Sequence, residues 1–355
     1  MLGSEVSAQK EMTFKEAAEA WMKKSVTRSR KPTKETSMPT VEGAFRNYVY
    51  PAIGSLPLSQ VHNGTCVAVV ERMKAAKLSS SSMNGYFNLV RSVMKAQVDP
   101  VTGELRYPRK WSMDILDLPE IEHVKTPCLT AKQVETMLEQ TCKGSWEHRL
   151  FLVLASTGLR VGEALGLEWK HLINDGRTLV IEQQVNRWGE IVKGKRGLKT
   201  KAAWREVDVH SSISTVLLAD RPGSGEGLMF PTANGTPMLP GNVEKRRLRD
   251  FVTGSFHQFR RFRNTWLRSP GVNCQEDLRK FWLGHAVSKA DMGETYSKLS
   301  RDLDLRLAEA QRVGTRFAVK EGFTLVDRRT GKAVRPTWRV MSGRVERIKK
   351  QKTVA

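Results

Sequence analysis

The segment that decides the fold reads LFLVLASTGLRVGEAL over residues 150–165. Its first six residues, Leu150–Ala155, form the longest purely apolar run of the chain, and such a run predicts a buried helix. Thr157 and Gly158 then predict a tight turn. Arg160 follows this turn, at the point where one helix gives way to another.

The residues around this segment predict a mixed domain. A capping box with an apolar staple at residues 129–134 indicates that a new helix, and with it a new domain, begins there. Downstream the period changes, and residues 178–185, 190–193 and 205–209 read as short strands. Helices are expected to resume at about Val243. The sequence therefore predicts a small sheet inserted in a helical body.

The first third of the chain predicts a compact, basic, helical unit. A capping box at Thr13–Glu16 opens the first helix. Apolar residues within 41–49 share one helix face, and residues 67–73 and 86–98 predict two more helices. The polar and glycine-containing stretch 79–85 is expected to connect these two helices.

The predicted fold class is mainly α with a small antiparallel β-sheet. Proline residues bracket the boundary between two domains, and a tail from Arg328 carries ten basic residues and one acid. The predicted divisions are a short N-terminal extension at 1–12, a helical domain at 13–118, a linker at 119–128, a second domain at 129–316 and a basic C-terminal tail at 317–355. With so short an extension, a further N-terminal DNA-binding domain is not expected.

The composition indicates a polyanionic partner. The chain has 59 Lys and Arg residues against 37 Asp and Glu, a net charge of +22, and nucleic acid is the commonest partner of such a protein. Ribosomal and membrane-surface proteins carry similar charge. The apolar run is far shorter than the ~18 residues of a membrane-spanning helix. No export signal is evident, and the four widely spaced cysteines suit a reduced compartment, so a cytoplasmic location is expected.

Five elements in the second domain bear residues suited to chemistry. They are the turn at 157–165 with Arg160, the stretch 198–201 with Lys199, the box 255–260 with His257 and Arg260, the Leu-Gly-His turn at 283–285, and Tyr296. The box reads as a further capping motif, which would place its histidine and arginine at i and i+3 on one helix face. Each element alone is a weak signal, because arginine, lysine and histidine at such positions usually serve structure or solvation.

Together and in this order, the five elements resemble the tyrosine recombinase, or phage integrase, family. The resemblance covers roughly residues 40–315 and implies that family's two-domain architecture. The first domain would then be a helical core-binding (SAM-like) DNA-binding domain and the second a mixed α+β catalytic domain. The resemblance implies these catalytic residues: Arg160, Lys199, His257, Arg260, His285 and the nucleophile Tyr296, with Glu163 in a supporting role.

Physical chemistry gives each of these residues a task. A phenol with a pKa of about 10 is only about one part in a thousand ionised at pH 7, so Tyr296 must be activated. Arg160 and Arg260 can clamp the non-bridging phosphate oxygens. A mobile lysine can protonate the departing 5′-oxygen. Lys199 fits this role best, with Lys195 and Lys201 as rivals.

The histidines and the acid complete the predicted site. His257 and His285 titrate near neutrality and would share proton transfer and orientation. Glu163, one turn beyond the first arginine, is expected to orient an arginine or histidine. The sequence shows neither a metal-ligand set nor a phosphate-cradling glycine loop, so we expect no metal and no cofactor. Because the phosphotyrosyl link keeps the energy of the broken bond, religation would need no ATP.

The resulting hypothesis is a site-specific DNA recombinase, an integrase of a phage or other mobile element, acting in the nucleoid of a bacterial or phage context. It would cleave and rejoin strands through a 3′-phosphotyrosyl intermediate, with its two domains around duplex DNA. A type IB topoisomerase shares this chemistry, and a catalytically silent DNA-binding protein of the same fold is the alternative from another class.

The expected assembly is a homotetramer on paired sites. Material after the tyrosine in this family commonly docks on a neighbouring protomer. Here Leu299, Leu303, Leu307 and Ala310 form a stripe that could do so or could pack within the chain. The resemblance leaves room for accessory DNA-bending or directionality proteins. The basic tail is as consistent with phosphate contacts as with disorder.

Overall fold

The computed structural model describes residues 11–29, 32–121, 127–194, 204–246, 248–285, 299–327, 333–334 and 345–348. The chain separates into two compact units, Met1–Lys125 and Thr126–Ala355. The finer domain limits given above stay a prediction. Among the described residues, no helix is both long and apolar enough to cross a membrane.

The first unit is helical. Its helices are α1 (Phe14–Thr27), α2 (Met38–Ala44), α3 (Tyr50–Ile53), α4 (Asn63–Ala75), α5 (Ser80–Lys95) and α6 (Met113–Leu116), and a π-helical turn at Phe45–Val49 joins α2 to α3. The capping box that opens α1 is confirmed, because Thr13 N donates to the Glu16 carboxylate at 2.8 Å and Glu16 N donates to the Thr13 hydroxyl at 3.3 Å. A core of buried aromatic and aliphatic residues fills the space between these helices.

One connection in this unit was predicted wrongly. Helix α5 begins at Ser80, six residues earlier than expected, because Ser79 caps it by accepting a hydrogen bond from Ser82 N at 3.3 Å. The serine run is thus the cap and first turn of the helix. Gly85, expected as a breaker, lies inside α5, where a Cβ would meet nothing within 4 Å.

The second unit is a helical body with small sheets. Its helices are α7 (Ala131–Gln140), α8 (Trp146–Thr157), α9 (Val161–Leu165), α10 (Ser211–Asp220), α11 (Pro240–Arg246), α12 (His257–Leu267), α13 (Glu276–Leu283) and α14 (Leu303–Val313). The capping box that opens α7 is confirmed at Thr130 and Gln133. Helix α8 is buried from Glu147 to Thr157, as the apolar run predicts. It therefore forms the centre of the core.

The first five strands of the second unit lie between α9 and α10. They are β1 (Leu172–Ile173), β2 (Thr178–Ile181), β3 (Gln183–Val185), β4 (Ile191–Lys193) and β5 (Arg205–Asp208). Strands β1, β2 and β5 form one antiparallel sheet in that order, and β3 pairs with β4 in another. The predicted strand at 178–185 is therefore two strands that belong to different sheets. Helix α10 was missed, because its serine-rich, β-branched sequence has low helix propensity; Ile213 and Leu217 supply its buried face.

The C-terminal part of the second unit departs from expectation. The buried residues of α14 are Arg306, Glu309, Ala310 and Val313, so Ala310 is the one member of the predicted stripe that is fully buried. After α14 the chain returns to the start of α8, where Lys143 N donates to Phe323 O at 2.9 Å. The predicted tail then contains an antiparallel sheet, with β6 (Thr324–Asp327) between β7 (Ala333–Val334) and β8 (Val345–Ile348).

Candidate active site

Arg160 stands at the start of α9, directly after the turn that ends α8. Gly158 forms this turn with a φ of +69°, which favours glycine, and a Cβ there would lie only 3.0 Å from the Leu283 side chain. Arg160 Nη1 donates to Glu163 Oε1 at 2.7 Å, and Arg160 N donates to Oε2 at 3.1 Å. The Arg160 side chain remains 25% exposed, whereas that of Glu163 is 1% exposed.

A second arginine binds the same carboxylate. Arg205, the first residue of β5, donates from Nη2 to Glu163 Oε2 at 3.0 Å and from Nε to Trp282 O at 2.7 Å. Its side chain is completely buried. Burial alone would raise the pKa of Glu163, but the guanidiniums of Arg205 and Arg160 outweigh it and hold that pKa below its usual value. Glu163 is therefore a buried anion shared by two cations.

Arg260 lies on α12 and is 5% exposed. Its Nη1 donates to Gly158 O at 3.1 Å, and its Nη2 donates to Leu283 O, so it joins the turn before Arg160 to the end of α13. Burial, together with the positive charge of Arg160, lowers the pKa of Arg260 to about 10. It therefore stays protonated at neutral pH. Arg260 and Arg160 lie close enough to repel each other.

The start of α12 differs in detail from the predicted capping box. Helix α12 begins at His257, and the Gln258 side chain donates to Thr253 O at 2.7 Å instead of reaching back to Ser255 N. The Ser255 hydroxyl accepts from His257 N at 3.4 Å. His257 and Arg260 nevertheless occupy the first and fourth positions of the helix, as the i, i+3 spacing requires. His257 is exposed and Arg260 is buried.

His285 follows the end of α13. Gly284 closes the helix with a φ of +60°, and His285 N donates to Lys280 O at 3.0 Å. Burial lowers the pKa of His285, and the positive charges of Arg260, Arg279, Arg160 and Arg205 lower it further. His285 is therefore neutral at pH 7. It lies within the field of every arginine described above.

The structure describes five of the predicted residues and brings four of them together. Arg160, Glu163 and Arg260 are linked by hydrogen bonds or by charge, and His285 senses that charge, while His257 begins the helix that carries Arg260. Lys199 and Tyr296 lie outside the described residues, as do the alternatives Lys195 and Lys201. The catalytic roles of all these residues stay predictions.

Arg205 is the residue that sequence reasoning missed. The sequence did hold a signal for Arg205, because residues two apart in a strand point to the same face. Val207 is 1% exposed, so Arg205 also occupies an inward position of the predicted strand. A charged side chain on the inward face of a strand must be paired with an opposite charge, because burial of an isolated charge costs much free energy. Its partner is Glu163, more than 40 residues earlier in the chain.

Comparison with known proteins shows a family that matches part of the chain. The model of the phage integrase family matches residues 127–289. The tyrosine recombinase XerC-like protein of Caldanaerobacter subterraneus subsp. tengcongensis is 25% identical over 228 residues, which cover 59% of this chain and 56% of the relative. Residues 127–289 therefore match the phage integrase family, and the resemblance to tyrosine recombinases predicted from the motifs is confirmed. The match spans little more than half the length of this curated relative.

Solved structures of phage and transposon integrases share the fold. The Tn1549 transposon integrase, in complex with transposon right end DNA, is 20% identical with a TM-score of 0.60, covering 82% of this chain and 99% of that one. A lambda integrase tetramer bound to a Holliday junction is 12% identical with a TM-score of 0.54, covering 84% and 83%. The mainly α, two-domain recombinase architecture predicted from the sequence is confirmed.

Proposed function

We propose that this integrase-family protein is a site-specific DNA recombinase that integrates or excises a mobile element. The observation that carries the proposal is the cluster of Arg160, Arg205 and Arg260 around one carboxylate, Glu163. Counted over the described residues, three guanidiniums and one carboxylate leave two surplus positive charges beside a neutral His285. A partly buried cationic surplus of this kind is suited to a phosphodiester anion.

The arginines would act on the phosphate. Arg160 retains solvent-exposed surface, so its guanidinium can bind a non-bridging oxygen while keeping its bond to Glu163. A guanidinium carries five N–H donors, so Arg260 can serve two carbonyl oxygens and a phosphate oxygen together. Both cations would bind the transition state more strongly than the ground state, because charge accumulates on the oxygens as phosphorus becomes five-coordinate.

Strand cleavage would need no reactant other than the protein and the DNA. The phenolic oxygen of Tyr296 forms a bond to phosphorus, the bond from phosphorus to the 5′-oxygen breaks, and Lys199 gives that oxygen a proton. His285 and His257 would accept the phenolic proton or orient the phosphate. Religation reverses these steps, with the 5′-hydroxyl of a new strand as the attacking group. The 3′-phosphotyrosyl link is thereby consumed and Tyr296 is restored.

The partners follow from this chemistry. We propose duplex DNA as the substrate, bound by the helical first unit and the catalytic second unit, with the nucleoid as its site of action. The net charge of +22 supports this proposal, as do the DNA complexes of the Tn1549 and lambda integrases. Exchange between paired sites requires four active centres, and the tetrameric lambda integrase supports a homotetramer here. Accessory DNA-bending proteins would set the direction of exchange.

The test is a suicide substrate, a nicked duplex with the element's attachment site from which the cleaved fragment diffuses away. The parent protein should form a covalent adduct that is resistant to denaturant, and Tyr296→Phe should form none. Tyr86→Phe is the matched control, because Tyr86 stacks on Tyr48 in the first unit and should leave adduct formation unchanged. An undiminished adduct in Tyr296→Phe, or no adduct with any DNA, would overturn the proposal.

Analysis of the products separates the recombinase from a topoisomerase. Two attachment sites on one plasmid should yield recombinant circles or inversions. Relaxation of supercoiled plasmids without any exchange between sites would instead indicate a type IB topoisomerase.

A further inference from the structure

Arg205 contacts one predicted motif segment and the residue directly before another, and it lies four residues after a third. Through Glu163 it reaches the α9 segment that begins with Arg160, and through Trp282 O it reaches the end of α13, which leads into His285. Strand β5 itself begins four residues after Lys201, the last of the lysine candidates. The arginine thus links α9 to the end of α13, and its side chain has no exposed surface.

We propose that Arg205 is a positioning residue that keeps the charge of Arg160 available for the scissile phosphate and fixes the helix end that carries His285. The inference rests on the proposed strand cleavage. It assigns Arg205 no direct contact with DNA. Its two effects run through different atoms of the guanidinium, so they are considered separately.

The first effect runs through Nη2. Glu163 offers two carboxylate oxygens, and Arg205 takes Oε2 at 3.0 Å while the Arg160 guanidinium binds Oε1 at 2.7 Å. Without Arg205, both oxygens would be open to Arg160, and a bidentate pair is the geometry that arginine and carboxylate favour. Such a pair would neutralise Arg160 and turn its donors away from the phosphate. The cluster would keep one surplus positive charge instead of two.

The second effect runs through Nε. The last carbonyls of a helix have no partner within the helix and carry its negative dipole end. At the end of α13, Trp282 O accepts from Arg205 at 2.7 Å, and the next carbonyl, Leu283 O, accepts from Arg260. Two arginines thus hold consecutive carbonyls immediately before the Gly284 turn. The backbone position of His285 depends on both.

The test compares Arg205→Ala and Arg205→Lys with a matched control, Arg149→Ala. Arg149 is also a buried guanidinium, bound to Asp220 at 2.8 Å and to Met229 O at 3.1 Å, and neither partner belongs to a motif segment. Each protein is assayed for adduct formation on two suicide substrates. One substrate has the ordinary phosphate, and the other has a methylphosphonate, in which a methyl group replaces one non-bridging oxygen and removes the negative charge. DNA affinity and the folded fraction are measured in parallel.

For Arg205→Ala we expect a loss of about 10–100-fold in the cleavage rate on phosphate, similar to the loss found when a residue that orients a metal ligand is removed. DNA affinity should be unchanged. Most of the loss should disappear on methylphosphonate, because a neutral phosphorus centre needs less counter-charge from Arg160. Arg205→Lys keeps the charge beside Glu163 but cannot hold both partners, so its loss should be intermediate. Arg149→Ala should show equal rates, relative to its folded fraction, on the two substrates.

The outcomes distinguish the inference from the proposed function. If the parent protein forms no adduct on phosphate, the strand-cleavage proposal fails and the role of Arg205 fails with it. If the parent cleaves but both Arg205 variants lose equal activity on the two substrates, or match Arg149→Ala, then Arg205 is merely structural. Should Arg205→Ala fail to fold, Arg205→Lys on the same two substrates decides the matter.

Discussion

The two ends of strand β5 carry opposite imbalances of charge. At its first residue, Arg205 shares the carboxylate of Glu163 with Arg160, and a third guanidinium, that of Arg260, lies close enough to interact with them by charge. At its last residue, Asp208, the ratio is reversed, because the single guanidinium of Arg306 binds both Asp208, at 2.9 Å, and Glu206. The two clusters are three residues apart along one strand.

The difference indicates what each cluster is for. Asp208 also accepts hydrogen bonds from the Thr178 hydroxyl and the Trp282 indole, at 2.8 and 2.9 Å, so its oxygens are fully engaged inside the protein. That cluster fastens α14 to the sheet. The cluster at Arg205 keeps a positive surplus and an exposed part of Arg160, which is the condition for binding an external anion. Loss of a cation should therefore cost stability at one end and activity at the other.

The largest effect is expected for Arg306→Met. Removal of one partner from a buried ion pair typically costs about 3–5 kcal/mol, because the remaining charge is left without compensation. Asp208 would be that charge, since its side chain is 0% exposed. The free energy of unfolding, from denaturant titration of the whole chain, should fall by this amount. Cleavage per folded molecule should change far less.

The control for this prediction is an exposed ion pair in the same unit. Lys143 pairs with Glu321 at 3.5 Å, and more than half of each side chain is exposed, so Lys143→Met should cost at most about 1 kcal/mol. If the two methionine variants unfold at the same denaturant concentration, then burial does not distinguish these ion pairs and the comparison loses its basis.

Only some of the residues in these two clusters could be predicted from the sequence. Arg160, Arg260 and His285 each sit in a short local motif, so pattern alone found them. Arg205 and Arg306 act through partners distant in the chain, and a strand or helix position does not reveal which carboxylate will face it. The apolar stripe predicted on α14 illustrates the same limit. The most buried residues of that helix include Arg306 and Glu309, and each of them is paired with a different residue of opposite charge.

The secondary structure was likewise predicted well in some places and not in others. Helix starts with a side-chain cap, at Thr13 and Thr130, were predicted to the residue. The helix at Ser211–Asp220 was missed and the strand at 178–185 was not divided, because tertiary packing, and not local propensity, decides both.

The next largest effect is expected for Arg160→Ala. Removal of one donor that stabilises transition-state charge typically lowers the rate by about 10²–10³-fold, equivalent to roughly 2.7–4 kcal/mol. The unfolding free energy should change little, because this side chain is part exposed and Glu163 retains Arg205. Single-turnover cleavage and DNA binding, measured on the same preparation, check this. Equal losses in binding and cleavage would contradict a role specific to the transition state.

The smallest effect is a change in the titration of His285. Burial and, in addition, the positive charge of the arginines hold its pKa below the usual 6.5, so Arg160→Ala should move that pKa upwards, whereas Arg306→Met should not. NMR titration of the imidazole measures both shifts. An equal shift in the two variants would mean that Arg306 affects the pKa of His285 as strongly as Arg160 does, which would contradict the separation of the two clusters.

The sign of the effect on stability follows from the same titration. Because the folded protein binds the His285 proton less readily than the unfolded chain, stability is lost as pH falls below about 6.5 towards the folded pKa. His285→Gln removes the titrating group, so it should flatten this part of the stability profile. Arg160→Ala should lessen the same loss, because a smaller positive field opposes protonation less. A profile that steepens in Arg160→Ala would place the positive surplus somewhere other than around Glu163.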